Sequence, residues 1–224
     1  MWSKNSRTAL VVCGSFNPPS IMHLRMLEIS KDHLRKCGTN VVQGILSPVA
    51  DNYAKPNLVK AQHRLAMVRA AVQTSDWIKA DDWECSQKSW TRTLPVLSHI
   101  RGRLRGELGD DINVALVVGG DVVESFPVIL SNGEKLWDPQ DIRKLIVDYG
   151  LVVIARENSD PMKTLRSMPE LEGCYERVEI ITDEVCPCSV SSTRLRAAIA
   201  DKRSIKYATP DGVIEYIANN NLYI

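Results

Sequence analysis

A chain of 224 residues, 44% hydrophobic and 25% charged, can bury a sizeable core, and its make-up is far from that of a disordered or fibrous protein. Its 28 basic and 27 acidic residues leave a formal charge of +1, so no global field favours nucleic acid or an anionic membrane, and any phosphate site must be local. The longest apolar runs, such as Leu151 to Ala155, are too short to span a bilayer, and Met1 to Arg7 lacks the apolar stretch of a signal peptide, so an intracellular protein is expected, cytoplasmic by default, with nucleus and mitochondrion as alternatives.

Taken in order, the chain alternates strand and helix signals. Ala9 to Cys13 is a β-branched apolar run closed by Gly14-Ser15 and Asn17-Pro18-Pro19, and an amphipathic helix follows up to Cys37-Gly38. Asn40 to Leu46 reads as a second strand, Ser47 to Asn57 as a loop, and Leu58 to Thr74 as an Ala-rich helix. A short strand is expected at Trp77 to Ala80, a helix at Lys88 to Arg105 despite Pro95, and a strand at Val114 to Val118 ending in Gly119-Gly120-Asp121. Asp138-Pro139 supplies an N-cap and first-turn proline for a helix to Tyr149, and strands follow at Leu151 to Ala155 and Arg177 to Thr182. Ser191 or Ser192 can cap a helix through Ala200, and Pro210 can open a last one through Asn219.

Helices of this length between strands require crossover connections. The pattern therefore predicts an α/β fold, a Rossmann-like doubly wound, mostly parallel sheet with helices on both faces and a helical C-terminal end. One domain over 1–224 is expected, with its core at about 8–185 and the helical part at about 190–224. Ligands of such sheets lie beyond the carboxyl ends of the strands, which directs attention to the loops after Cys13, Leu46, Val118 and Ala155.

Neither GxGxxG nor GxxxxGK[ST] follows the first strand, which disfavours a dehydrogenase or a P-loop NTPase. In their place stands Gly14-Ser15-Phe16-Asn17-Pro18-Pro19-Ser20-Ile21-Met22-His23, which sets a histidine where the next helix begins, among free backbone N–H groups. Far away in sequence, Ser191-Ser192-Thr193-Arg194-Leu195-Arg196 offers a second helix start with hydroxyls, and Arg196 projects from nearly the same face as Ser192. Two helix starts suit one triphosphate. The pair Cys186-Pro187-Cys188 lacks further ligands at zinc spacing, so no protein-held metal is expected.

These pieces resemble the eukaryotic nicotinamide mononucleotide adenylyltransferases, within the nucleotidyltransferases with a HxGH-like motif. The resemblance runs almost end to end: GSFNPxxxxH at Gly14 to His23, SPVxDxYxK at Ser47 to Lys55, WExxQKxWxxTL at Trp83 to Leu94, GxDxxESF at Gly119 to Phe126, Leu136-Trp137, SSTxxR at Ser191 to Arg196, and YIxxxNLY at Tyr216 to Tyr223. It implies transfer of AMP from ATP to nicotinamide mononucleotide, and also to nicotinic acid mononucleotide, giving NAD or deamido-NAD and pyrophosphate. Magnesium held mainly by the substrate phosphates is implied, as is a homo-oligomer with no nucleic-acid or membrane partner.

Residue by residue, the resemblance implies that His23 donates to the α-phosphate while Lys55 and Arg196 meet the β- and γ-phosphates. Gly14, Phe16, Gly119, Asp121, Ser192 and Thr193 complete the ATP side. Ser15, Phe16, Trp90, Thr93, Leu136, Trp137, Arg156 and Glu184 line the mononucleotide side, with Trp90 and Trp137 as aromatic walls for an electron-poor ring. Read without the resemblance, both tryptophans suit core anchors, Asp121 an N-cap, and Arg156 and Lys55 solvated charges. The first position of the HxxH-like pair is Ser20, and Cys186-Pro-Cys-Ser189 stands where relatives place an adenine-binding asparagine, so backbone groups are expected there instead. Competing readings are a cytidylyl- or adenylyltransferase for another acceptor, and a non-catalytic nucleotide-binding or chaperone-like protein.

Overall fold

The computed structural model describes residues 6–53, 55–156, 159–187 and 190–224. Its elements are β1 (Arg7–Gly14), α1 (Ile21–Lys36), β2 (Asn40–Pro48), α2 (Ala61–Val72), β3 (Ile78–Ala80), α3 (Thr93–Leu108), β4 (Ile112–Gly119), α4 (Gly120–Glu124), α5 (Pro139–Lys144), β5 (Leu151–Ala155), α6 (Pro161–Arg166), β6 (Val178–Thr182), α7 (Ser192–Ala200) and α8 (Asp211–Asn219). The six strands form one all-parallel sheet in the order β3-β2-β1-β4-β5-β6. The order reverses at β1, as in a doubly wound fold, and the apolar runs fit it: Ala9, Leu10 and Val11 in β1, Ala115 and Val117 in β4, and Val152 and Val153 in β5 have no exposed surface.

Several element boundaries differ from the sequence reading. The expected helix at 88–105 begins only at Thr93, because Pro95 lacks an N–H and disfavours helical backbone before it, so it is tolerated only in a first turn. The helix expected at 58–74 is trimmed to α2, and β2 runs on to Pro48. Asp138 caps α5 as expected, its side chain accepting from the Gln140 N–H at 2.9 Å. The turn from Leu145 to Tyr149 then widens to a π-helix, closed by Gly150 N–H to the Leu145 carbonyl at 3.0 Å. Among the described residues no helix is long and apolar enough to cross a membrane.

The chain divides into two compact units. One comprises residues 1–11, 28–42 and 94–187, and the other residues 12–27, 43–93 and 188–224. In the first, β1 pairs with β4 from Arg7–Ile112 to Val11–Leu116, and β4, β5 and β6 continue the parallel ladder. In the second, β2 pairs with β3, while Met67 and Ala71 of α2 close on Leu195 of α7, Ile205, and Val213 and Ile217 of α8. Burying each larger apolar side chain in this cluster contributes about 1.5–3 kcal/mol, enough to hold the start of α7 in place.

Candidate active site

The second unit gathers most of the residues expected to meet phosphate. Phe16, fully buried at positive φ, folds its ring back over Gly14, where an added Cβ would lie 3.4 Å from the ring. The Phe16 ring also meets the His23 imidazole edge-on, with centroids 5.0 Å apart. His23 stands in the first turn of α1, and its Nδ1 accepts the Ser20 backbone N–H at 2.8 Å, the part a glutamate plays in a capping box. With Nδ1 acting as an acceptor, the proton of the neutral ring sits on Nε2, which makes that nitrogen a hydrogen-bond donor.

The loop from Gly14 to Ser20 is held from the far end of the chain. The carbonyl of Asn17 accepts from Arg196 Nη1 at 2.8 Å, that of Pro18 from Ser192 Oγ at 2.8 Å, and that of Pro19 from Thr209 Oγ1 at 2.7 Å. The buried Asn17 side chain donates to the Asn57 carbonyl at 2.8 Å and accepts from Tyr223 Oη at 2.8 Å and the Val59 N–H at 3.3 Å. Ser191 caps α7 by accepting the Arg194 N–H at 3.3 Å, and Arg196 Nη2 reaches Thr193 Oγ1 at 3.4 Å. Lys55 Nζ donates to Ser15 Oγ at 3.1 Å. His23, Lys55 and Arg196 thus converge on one short loop.

Two further residues carry this arrangement and were not singled out from sequence. Arg64 of α2 has no exposed surface. Its guanidinium donates to the carbonyls of Val59 at 2.8 Å and Ser15 at 3.2 Å and pairs with Asp51 at 3.4 Å. Burial lowers its pKa, against the pull of Asp51. Glu84, also buried, accepts from Ser47 Oγ at 2.7 Å. Burial pushes its carboxyl up to about 7; the Ser47 hydrogen bond and Arg64 act the other way, and Asp81 adds to the rise. The Cys13 thiol is raised by burial and then by Glu84 and Asp81.

Because the Glu84 carboxyl titrates higher in the fold than in the free chain, its contribution to stability is full below about pH 4.5 and is lost as pH rises through about 7, a swing of about 3 kcal/mol. Glu84→Gln keeps an acceptor for Ser47 and removes the ionisation. The variant should melt close to the parent at pH 5 and several degrees above it at pH 8. Equal gaps at the two pH values would contradict this account of Glu84.

The segment after Glu84 carries Trp90, and the loop bearing Lys55 braces it. Asn52 Nδ2 bonds the Lys88 carbonyl at 2.5 Å, and the rings of Tyr53 and Trp90 lie 6.0 Å apart. Trp90 is 42% exposed, and Thr93 opens α3 close by in sequence. Trp90 is therefore no core anchor.

In the first unit, Gly119 is the N-cap of α4, and Asp121, in the first turn, curls its carboxylate over the place where a Gly119 Cβ would stand. The Asp121 carboxylate pairs with Arg156 at 3.5 Å, a half-exposed ion pair that leaves Arg156 largely solvated. Trp137 Nε1 donates to Ser125 Oγ at 3.0 Å, and its half-buried ring meets Phe126 edge-on at 5.1 Å. Leu136 is exposed beside it. Glu184 lies exposed on the bend after β6, next to Asp183, whose buried carboxylate accepts the N–H groups of Val185 and Cys186 at 3.1 Å. The adenine position expected at Cys188 lies outside the described residues, as does one of the two thiols considered for zinc.

The cytidylyltransferase-like family matches residues 11–198. Over 218 residues the chain is 55% identical to nicotinamide/nicotinic acid mononucleotide adenylyltransferase 2 of Caenorhabditis elegans, covering 97% of this chain and 98% of that one. The chain belongs to the nicotinamide/nicotinic acid mononucleotide adenylyltransferase family. Another adenylyltransferase of that description, from Oryza sativa subsp. japonica, is 40% identical over 98% of this chain and 87% of its own. In fold, the chain matches the Plasmodium falciparum nicotinic acid mononucleotide adenylyltransferase complexed with NaAD, with a TM-score of 0.69 over 97% of each chain at 19% identity. Membership of this adenylyltransferase family accounts for the order of motifs from the Gly14 loop to the Tyr223 tail.

Proposed function

We propose that this chain transfers AMP from ATP to nicotinamide mononucleotide, and also to nicotinic acid mononucleotide, releasing pyrophosphate and making NAD or its deamido form. The observation that supports this most is the convergence of His23, Lys55 and Arg196 on the Gly14–Ser20 loop. A 5′-phosphate oxygen of the mononucleotide attacks the α-phosphorus in line, and the bond from that phosphorus to the departing pyrophosphate oxygen breaks. The attacking oxygen is already ionised, so the chain need supply no nucleophile and no base. Its task is alignment and stabilisation of charge.

His23 Nε2–H donates to an α-phosphate oxygen, and Lys55 and Arg196 hold the leaving phosphates. The N–H groups at the start of α7, with Ser192 and Thr193, add an anion-binding end. In the first unit, Asp121 has the chemistry to accept ribose hydroxyl protons; in the second, Trp90 stacks on the pyridine ring. The donors around the loop, an imidazole N–H, an ammonium and a guanidinium, suit phosphate oxygens rather than a metal, so magnesium would be held by the substrate phosphates and would supply charge neutralisation there. Assembly into a homo-oligomer belongs to the same proposal.

Pyrophosphate release separates this reading from nucleotide binding alone. Release that requires ATP, magnesium and either mononucleotide together is the expected result. No release with either acceptor, from folded protein that still binds ATP, would leave only the binding role.

A further inference from the structure

We propose that Arg92 biases the acceptor site toward the acid mononucleotide over the amide. The inference rests on the reading above that the pyridine ring stacks on Trp90. The Arg92 guanidinium carbon lies 5.8 Å from the centre of the Trp90 ring, on the same aromatic wall that Tyr53 braces. From Cys85 to Gly106 the chain carries no acidic residue, so the segment that bears this wall brings only positive charge to it, with Lys88 and Arg92 on either side of Trp90.

The two acceptors differ in one group. In the amide the pyridinium ring carries an uncompensated positive charge, whereas in the acid a carboxylate at the ring edge balances it. A guanidinium beside the wall repels the ring charge of the first and attracts the carboxylate of the second, with the planar fork suited to a carboxylate. Trp90 is indifferent to this difference, since an indole face attracts the cationic ring of either acceptor. Discrimination therefore falls to the charged neighbour. Because Arg92 is exposed, the pair it would form has the modest strength of a surface ion pair, and the bias is graded rather than absolute. The attraction acts on the bound acceptor before reaction as well as during it, so it enters through KM more than through kcat.

The test measures kcat/KM for nicotinic acid mononucleotide and nicotinamide mononucleotide, with ATP and magnesium at low ionic strength, for the unsubstituted protein, Arg92→Gln and Arg92→Glu. The acid-to-amide ratio should fall about fivefold in Arg92→Gln, mainly through KM, and further in Arg92→Glu. In the unsubstituted protein the ratio should shrink as salt is added. Each ratio is internal to one preparation, so partial misfolding of a variant cancels. A ratio that stays the same in both variants, while both acceptors turn over, overturns the role of Arg92. Absence of turnover with either acceptor in the unsubstituted protein instead overturns the adenylyltransferase reading, and the inference with it.

Discussion

His23→Ala is expected to lower kcat by about 10²–10³-fold, the usual cost of removing one donor aimed at charge that grows in the transition state. The same substitution removes the Nδ1 acceptor of the Ser20 N–H, a capping interaction of about 1 kcal/mol, so the melting temperature should drop by only a few degrees. That combination of a large kinetic and a small thermal effect is what a catalytic donor at a helix start produces. A purely structural histidine would give the reverse, a clear loss of stability with kcat per folded molecule preserved. Steady-state kinetics and a thermal melt on the same preparation separate the two.

Arg64→Met should have the largest effect on stability. The side chain is fully buried and ties the Ser15 and Val59 carbonyls to Asp51. Methionine fills much of the volume but leaves two carbonyls without this donor and one carboxylate without its counter-ion. Replacing a buried ion by a hydrophobe can be neutral when the whole set of partners is replaced, but here the two carbonyls remain; the half-exposed Asp51 can be solvated, and the expected cost is about 2–4 kcal/mol. For a chain of this size that is a fall in melting temperature of about 10 °C. Arg64→Lys keeps the charge but lacks a planar fork that serves three acceptors in different directions, so it should recover only part of the loss. Activity should fall in both variants at temperatures well below their melts, because Ser15, the Lys55 partner, loses its anchor. An Arg64→Met variant with parental melting temperature and kcat would show that Arg64 carries nothing.

Much of this layout is readable in the sequence because the signals are local. The buried strands are continuous apolar runs, and Asp138-Pro139 marks a helix start by itself. The same signal at Asp160-Pro161 opens α6, where Asp160 accepts the Lys163 N–H at 3.0 Å, although no helix was expected there from sequence. The motif order likewise pointed to His23, Lys55 and Arg196, and separately to Asp121 and Arg156, but not to their pairing. Long-range partnerships were not readable. Nothing in Lys60-Ala-Gln-His-Arg64 says that this arginine, rather than Arg69 on the same helix, turns inward, since that depends on where the Ser15 and Val59 carbonyls come to lie. Glu84 was visible within the WExxQK stretch, but its raised proton affinity comes from burial and from Asp81, against the Ser47 hydrogen bond, and only the packing of β2 and β3 creates that setting. Arg92 beside Trp90 is a local pair, but it falls on an unspecified position of the WExxQKxWxxTL pattern, so no motif marks it.

The most direct test of the central claim is to incubate the purified chain with ATP, magnesium and nicotinamide mononucleotide, in parallel with nicotinic acid mononucleotide, and to identify the dinucleotide product by mass alongside the His23→Ala variant. The expected result is NAD from the first acceptor and deamido-NAD from the second, each nearly abolished in the variant. Folded protein that makes neither dinucleotide, or a variant that makes both at the parental rate, would contradict it.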